Sequence, residues 1–269
     1  MRMSLLEAMI LGLIQGLTEF LPVSSSGHLV LSQNLLGVSD QGVTFEVMVH
    51  FGTLLSVVIY FWRTLWNMLL SILPPFREEL ARERKMIVLL VLASIPAAIV
   101  GFSPLKGVFE GTYESPSVVG LLLMVTGGIL FLPRLITKRQ KERGDVGFKS
   151  ALMMGIGQAF AILPGVSRSG SSIVSGMLAG AKSSAAAEFS FLMAIPAIAA
   201  AAFLELDHLP REKDLLTNYM AGAGVAFGSG LIAIYTVLAS IRRGKFEYFG
   251  IYCLIAGASA FLYFQFIAT

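Results

Sequence analysis

Cysteine is almost missing from this chain: one residue, Cys253, sits in an apolar run. A single thiol excludes a disulfide and any cysteine-based metal centre, and its setting reads as a small core or lipid-facing residue. Charge is scarce as well, with charged residues at 14% against 55% hydrophobic and a mean hydropathy of +0.76. That balance lies outside the range of a soluble domain. No stretch is polar enough to form a separate soluble unit, so residues 1–269 are expected to form one membrane domain. The net charge of +3 lies in loops, where it reports membrane orientation and offers nothing to nucleic acid. An A-x-A-like cleavage site is also lacking after Met1–Phe20, and Glu7, Gln15 and Glu19 interrupt that apolar run. The segment is therefore expected to belong to the fold and not to be a signal peptide.

What the chain does have is apolar length. Six segments are long enough to span: about 44–66, 86–103, 117–133, 185–205, 217–240 and 246–266. Residues 4–37 and 151–181 differ, each being two short apolar stretches broken by a Pro/Ser/Gly loop. Neither half can cross, so each pair predicts a re-entrant helical hairpin with its loop near mid-membrane. Irregular backbone is tolerated there only inside protein or beside a wet cavity.

The hairpins repeat one another. At an offset of 143, residues 12–37 and 155–180 share nine identities in 26 positions, among them Gly12/Gly155, Gln15/Gln158, Ser24/Ser167, Ser26/Ser169 and Gly27/Gly170. Three spanning segments separate the copies, so the second hairpin enters from the opposite side. The expected architecture is an all-α integral membrane fold of about six transmembrane helices plus two re-entrant hairpins, arranged as an inverted-topology repeat (repeat one about 4–133, repeat two about 151–266). Basic residues fix its orientation. Fifteen fall on the side holding the loop after residue 66, and four (Arg2, Lys106, Arg211 and Lys213) on the other. The richer side is read as cytoplasmic, which places both termini outside.

Chemistry concentrates where the copies differ. The loop Pro164-Gly-Val-Ser-Arg168-Ser-Gly-Ser-Ser172 carries an arginine at membrane depth, a functional-site signal by default. Hydroxyls from Ser167, Ser169 and Ser172, backbone N–H groups and a helix start suit an anion, and guanidinium suits phosphate. Ser24 and Ser26 supply matching hydroxyls from the first copy. Under the repeat, Glu19 faces Ile162, Ser25 faces Arg168 and His28 faces Ser171. One copy thus brings an acid, a hydroxyl and an imidazole, and the other a cation, as a phosphoryl group held from one side and attacked from the other would need.

Gln15 and Glu19, four apart on one helix face, read equally as oxygen ligands for Mg²⁺ or Ca²⁺ and as a hydrogen-bonded structural pair. Ser25 and His28, three apart, can sit together as nucleophile and general acid/base. Ser-x-x-His alone is a weak signal, and Ser24 to Ser26 can equally be N-caps beside a satisfied buried histidine. Glu46 reads as a carboxylate favoured by a helix dipole, and His50 as a weaker candidate still. Tyr60, Phe61, Trp62 and Trp66 resemble an interfacial belt, and the basic loops suit anionic head groups of membrane lipids.

The segment Gln15-Gly-Leu-Thr-Glu19-Phe-Leu-Pro-Val-Ser-Ser25-Ser-Gly-His28, together with Pro164-Gly-Val-Ser-Arg168-Ser, resembles the bacterial undecaprenyl-pyrophosphate phosphatase family of the bacitracin-resistance type. The resemblance extends over essentially the whole chain. It implies a multi-pass protein of the bacterial cytoplasmic membrane that removes the terminal phosphate of a polyprenyl pyrophosphate lipid, with its site open to the periplasm or exterior. The family's [E/Q]-x-x-x-E pattern falls on Gln15 and Glu19, its loop serine on Ser25, its histidine on His28 and its arginine on Arg168. Gln15 is the uncharged option at its position, and Ser172 stands where the family has threonine. The expectation is Ser25 as nucleophile, with water activated by His28 or Glu19 as the rival, His28 as general acid/base, Arg168 as phosphate clamp and a divalent cation on Glu19 and Gln15. The alternative is a transporter or flippase of a phosphorylated polyprenyl lipid, since inverted repeats with re-entrant hairpins are common transporter parts.

Overall fold

The computed structural model describes residues 3–38, 42–101, 103, 115–136, 144–210, 212–243 and 245–268. Part of the charge count, including Arg2, Lys106, Arg211 and the basic residues of 137–143, lies outside them. Eleven α-helices make up the described residues: α1 Leu5–Phe20, α2 Ser25–Leu36, α3 Gly42–Tyr60, α4 Trp62–Ser71, α5 Ala81–Gly101, α6 Pro116–Ile136, α7 Phe148–Phe160, α8 Arg168–Leu178, α9 Ser183–Leu204, α10 Lys213–Arg242 and α11 Glu247–Phe266. Five of them, α5, α6, α9, α10 and α11, are long and apolar enough to cross a membrane, and the bent pair α3–α4 brings the number to six. This is an all-α, multi-pass membrane protein.

Local signals explain the short helices. Ser4 and Glu7 close a capping box at the start of α1. Pro22 restricts Leu21 to extended backbone, and α1 ends there. Gly37, at φ +67°, gives α2 a left-handed C-cap. The hairpins α1–α2 and α7–α8 are therefore each two helices too short to span, joined by a polar loop.

One expected span changes course. Residues 44–66 do not run straight: the chain bends by 75° between Tyr60 and Trp62. Beyond the bend, α4 buries Met68 and Ser71 and exposes Trp62 and Trp66. With Arg63 and Asn67 also on it, α4 sets polar residues beside an apolar face, the character of an interfacial helix.

Packing follows the repeat. Hairpin helix α1 lies on α10 of the other half, α7 lies on α5, α6 pairs with α11, and α3 meets α9. A methyl group at Gly12 would collide with the Gly222 carbonyl, and one at its repeat mate Gly155 with the Ala93 carbonyl. Small residues are what let membrane helices approach this closely. Cys253 is buried, with its thiol 3.8 Å from the Pro22 carbonyl oxygen.

Candidate active site

Glu19, in the last turn of α1, is the hub. Its carboxylate is buried, and Oε2 accepts from Gln15 Nε2 at 2.9 Å and from Ser25 Oγ at 2.5 Å. Oε1 is paired with the Arg168 guanidinium from the opposite hairpin. His50 Nε2, from α3, stands 3.6 Å from Oε2. A buried carboxylate is costly unless paired and hydrogen-bonded, and here every side of it is engaged.

The hairpin loops bring these groups together. Ser24 Oγ caps α2 by accepting from Gly27 N at 3.3 Å, and Ser167 Oγ caps α8 by accepting from Gly170 N at 3.0 Å. Ser24 Oγ lies 3.4 Å from Ser26 Oγ, and Ser167 Oγ lies 3.3 Å from Ser169 Oγ, so the repeated Ser-x-Ser pairs have nearly the same hydroxyl spacing. The loops also touch, because Gly165 N donates to Ser24 Oγ at 3.1 Å. Thr126 of α6 pins the second loop: its hydroxyl donates to Gly165 O at 2.7 Å and accepts from Ser167 N at 2.9 Å. Ser24 has φ +67°, a left-handed conformation that costs a non-glycine residue about 1 kcal/mol or more, whereas Ser167 is unstrained at φ −71°. The strain falls in the copy that carries Glu19 and Ser25.

These residues open onto a cavity of about 480 Å³. Glu19, Ser24, Ser25, Ser26, Ser167, Arg168 and Ser169 all line it, so most of the residues expected at the site converge. Three do not face it. Gln15 is fully buried behind Glu19 and reaches the site only through its amide N–H. Ser172 is also fully buried, donating to Arg168 O at 2.8 Å and lying 2.6 Å from Ser190 Oγ. It braces the first turn of α8. His28 turns toward α11: Nδ1 lies 2.8 Å from Ser24 O and Nε2 2.8 Å from the Tyr252 hydroxyl. A carbonyl only accepts, so Nδ1 carries the proton and Nε2 accepts from tyrosine. In this position the imidazole holds the strained Ser24 carbonyl and does not meet Ser25.

The structure supplies what the sequence reading underrated. Glu46 and His50, one turn apart on α3, line the cavity opposite the serine loops. His50 Nδ1 donates to Glu46 O at 2.7 Å, which turns Nε2 toward Glu19. The signal was present: Glu46-x-x-x-His50 is a polar i, i+4 pair on an otherwise apolar helix, as Gln15-x-x-x-Glu19 is on α1. The bracing place of His28 has a testable consequence. Tyr252→Phe removes one hydroxyl outside the cavity, so activity at the cavity should fall less than about fivefold and stability by about 1 kcal/mol. A collapse of turnover as deep as that of a Ser25 variant would return the imidazole to the chemistry.

A buried carboxylate that accepts from a serine hydroxyl and pairs with an arginine from the other hairpin thus lies at the wall of one polar cavity, in a fold of membrane-spanning helices. The chain belongs to the family described as bacitracin resistance protein BacA, whose model matches residues 8–259. It is 41% identical over 261 residues to an undecaprenyl-diphosphatase of Syntrophotalea carbinolica, covering 96% of this chain and 98% of the relative. It is 39% identical over 258 residues to one of Halothermothrix orenii (95% and 96% covered) and 40% over 256 residues to one of Moorella thermoacetica (95% and 96%).

Proposed function

We propose that this chain hydrolyses undecaprenyl pyrophosphate to undecaprenyl phosphate and inorganic phosphate. The observation that carries this reading is the Ser25 hydroxyl held at 2.5 Å by a carboxylate that also pairs with Arg168, at the wall of one cavity. The near full-length relatives that bear the name undecaprenyl-diphosphatase support it.

Glu19 is the base for Ser25 in this scheme, because Ser25 already donates to it. As Oγ attacks the terminal phosphorus, its proton passes to Glu19, and the bond to the bridging oxygen breaks. The leaving undecaprenyl phosphate takes that proton back from Glu19. Arg168, partly exposed to the cavity, holds the phosphoryl oxygens, with Ser167 and Ser169 beside it. Water then cleaves the phosphoserine, again with Glu19 as base, to restore Ser25 and release phosphate.

A divalent cation fits this wall in one way. Gln15 presents no oxygen to the cavity, and among the described residues no three His, Cys, Asp or Glu side chains gather as a ligand set. Glu46 and Glu19 do line the cavity, and Mg²⁺ commonly takes one or two carboxylates together with substrate phosphates. Glu46 would hold it, since Glu19 is already engaged by Arg168, Gln15 and Ser25, and the ion would neutralise charge on the pyrophosphate. The asymmetry of basic residues supports an orientation with both termini outside, and the relatives of the same family support a bacterial cytoplasmic membrane with this cavity open to the periplasm or exterior.

The test is phosphate release by purified protein in detergent, where no transmembrane gradient exists for a carrier to use. Wild type should release phosphate from undecaprenyl pyrophosphate, and rapid quenching with label in the terminal phosphate should trap it on Ser25. Ser25→Ala should bind substrate and turn over at least about a hundredfold more slowly. Absence of release by wild type sinks the function. Robust turnover by Ser25→Ala instead hands the attack to water.

A further inference from the structure

A second cavity, of about 600 Å³, adjoins the polar one along the same two helices. On α3, Glu46 and His50 face the polar chamber, Val47 lines both, and Phe51 and Leu55 line the second. On α9 the walls divide likewise: Ala197, Ile198 and Ala201 belong to the first, Ala199, Ala202 and Phe203 to the second. The third wall comes from α10, through Ala223, Gly224 and Phe227. The two polar side chains of this trough, Thr44 and Glu205, are joined to one another (Oγ1 to Oε2, 3.2 Å), which leaves its length apolar. Along α3 it runs from Thr44 to Leu55, about 16 Å at the rise of a helix.

We infer that this trough between α3, α9 and α10 seats the prenyl tail of the substrate, beginning at Val47 where the tail leaves the pyrophosphate. The inference rests on the proposed function. A polar chamber that adjoins an apolar channel at Val47 matches an amphiphile whose charged head and hydrocarbon chain are joined end to end. Glycine and alanine on two walls keep the channel open: a β-carbon at Gly224 would meet nothing within 4 Å. In lipid the tail gains little by leaving its neighbours, since bilayer hydrocarbon is as apolar as the groove. The trough therefore acts by direction. It sets the angle at which the terminal phosphate reaches Ser25 and Arg168.

A competing channel of about 520 Å³ lies between α5 and α7 and touches the polar chamber at Ile162. It shares neither α3 nor α9 with that chamber, and this difference is testable. Gly224→Leu fills the trough from open space while leucine keeps α10 helical. Ala199→Leu does the same from the exposed face of α9 and serves if the first variant fails to fold. The readout is kcat/KM for undecaprenyl pyrophosphate divided by that for isopentenyl pyrophosphate, which has a single prenyl unit. For either trough variant the ratio should drop about tenfold, chiefly through kcat. For Ala159→Leu, in the competing channel, it should stay within about twofold of wild type. An unaltered ratio in both trough variants overturns the inference and leaves the trough to bilayer lipid. A drop confined to Ala159→Leu overturns it in favour of the other channel. If wild type hydrolyses neither pyrophosphate, the functional reading itself has failed.

Discussion

Glu19→Gln should lower phosphate release from undecaprenyl pyrophosphate by about a thousandfold. The substitution is nearly isosteric, so the cavity keeps its shape, but three things go at once. Ser25 loses the acceptor for its proton, Arg168 loses its counter-charge, and the Gln15 amide finds a mixed donor and acceptor in place of a carboxylate. Arg168 lies partly in the cavity, so an unpaired guanidinium there can still bind phosphate. Substrate affinity should therefore hold or rise while kcat falls, and this split identifies loss of a base. A variant that keeps even a tenth of wild-type turnover would move the proton acceptor elsewhere, with His50, 3.6 Å from the same carboxylate, as the nearest group to examine.

Arg168→Lys is the second large effect, with an expected loss of about a hundredfold in kcat/KM, or about 2.7 kcal/mol of transition-state stabilisation. Lysine keeps the charge and so spares the fold the penalty of stranding Glu19. It cannot reproduce the planar fork that meets two oxygens together. Arg168→Ala is the less informative change, because leaving a buried carboxylate unpaired costs about 3–5 kcal/mol and confounds activity with folding. Comparing thermal unfolding in detergent separates the two variants. A lysine variant within a few-fold of wild type would reduce Arg168 to a counter-ion for Glu19.

Much of this was legible because it was local. Alternating short apolar runs and Pro/Ser/Gly breaks marked α1–α2 and α7–α8, and the Ser-x-Ser caps of both loops share their hydroxyl spacing. Charge at membrane depth singled out Arg168, which lies on the cavity. What failed to show depended on azimuth and on distant segments. Residues three apart on a helix differ by about 60° in direction, which is enough for Ser25 to face the cavity while His28 faces Tyr252, 224 positions away. The bend after Tyr60 left no mark in a hydropathy profile that treats 44–66 as one run. Glu46 and His50 were passed over because nothing in α3 itself tells which side of it α1 and α9 will cover.

The contact between the two loops has a mechanical meaning. Gly165 N on Ser24 Oγ, and Arg168 on Glu19, are bonds between one half of the molecule and the other. Rocking-type carriers need such a seam to open and close around their cargo. Here the seam is made of the residues that would do the chemistry, so parting the two loops would take the arginine away from the carboxylate and the serine. Under the proposed chemistry the site is complete only while the two loops are clasped, in the manner of a vice.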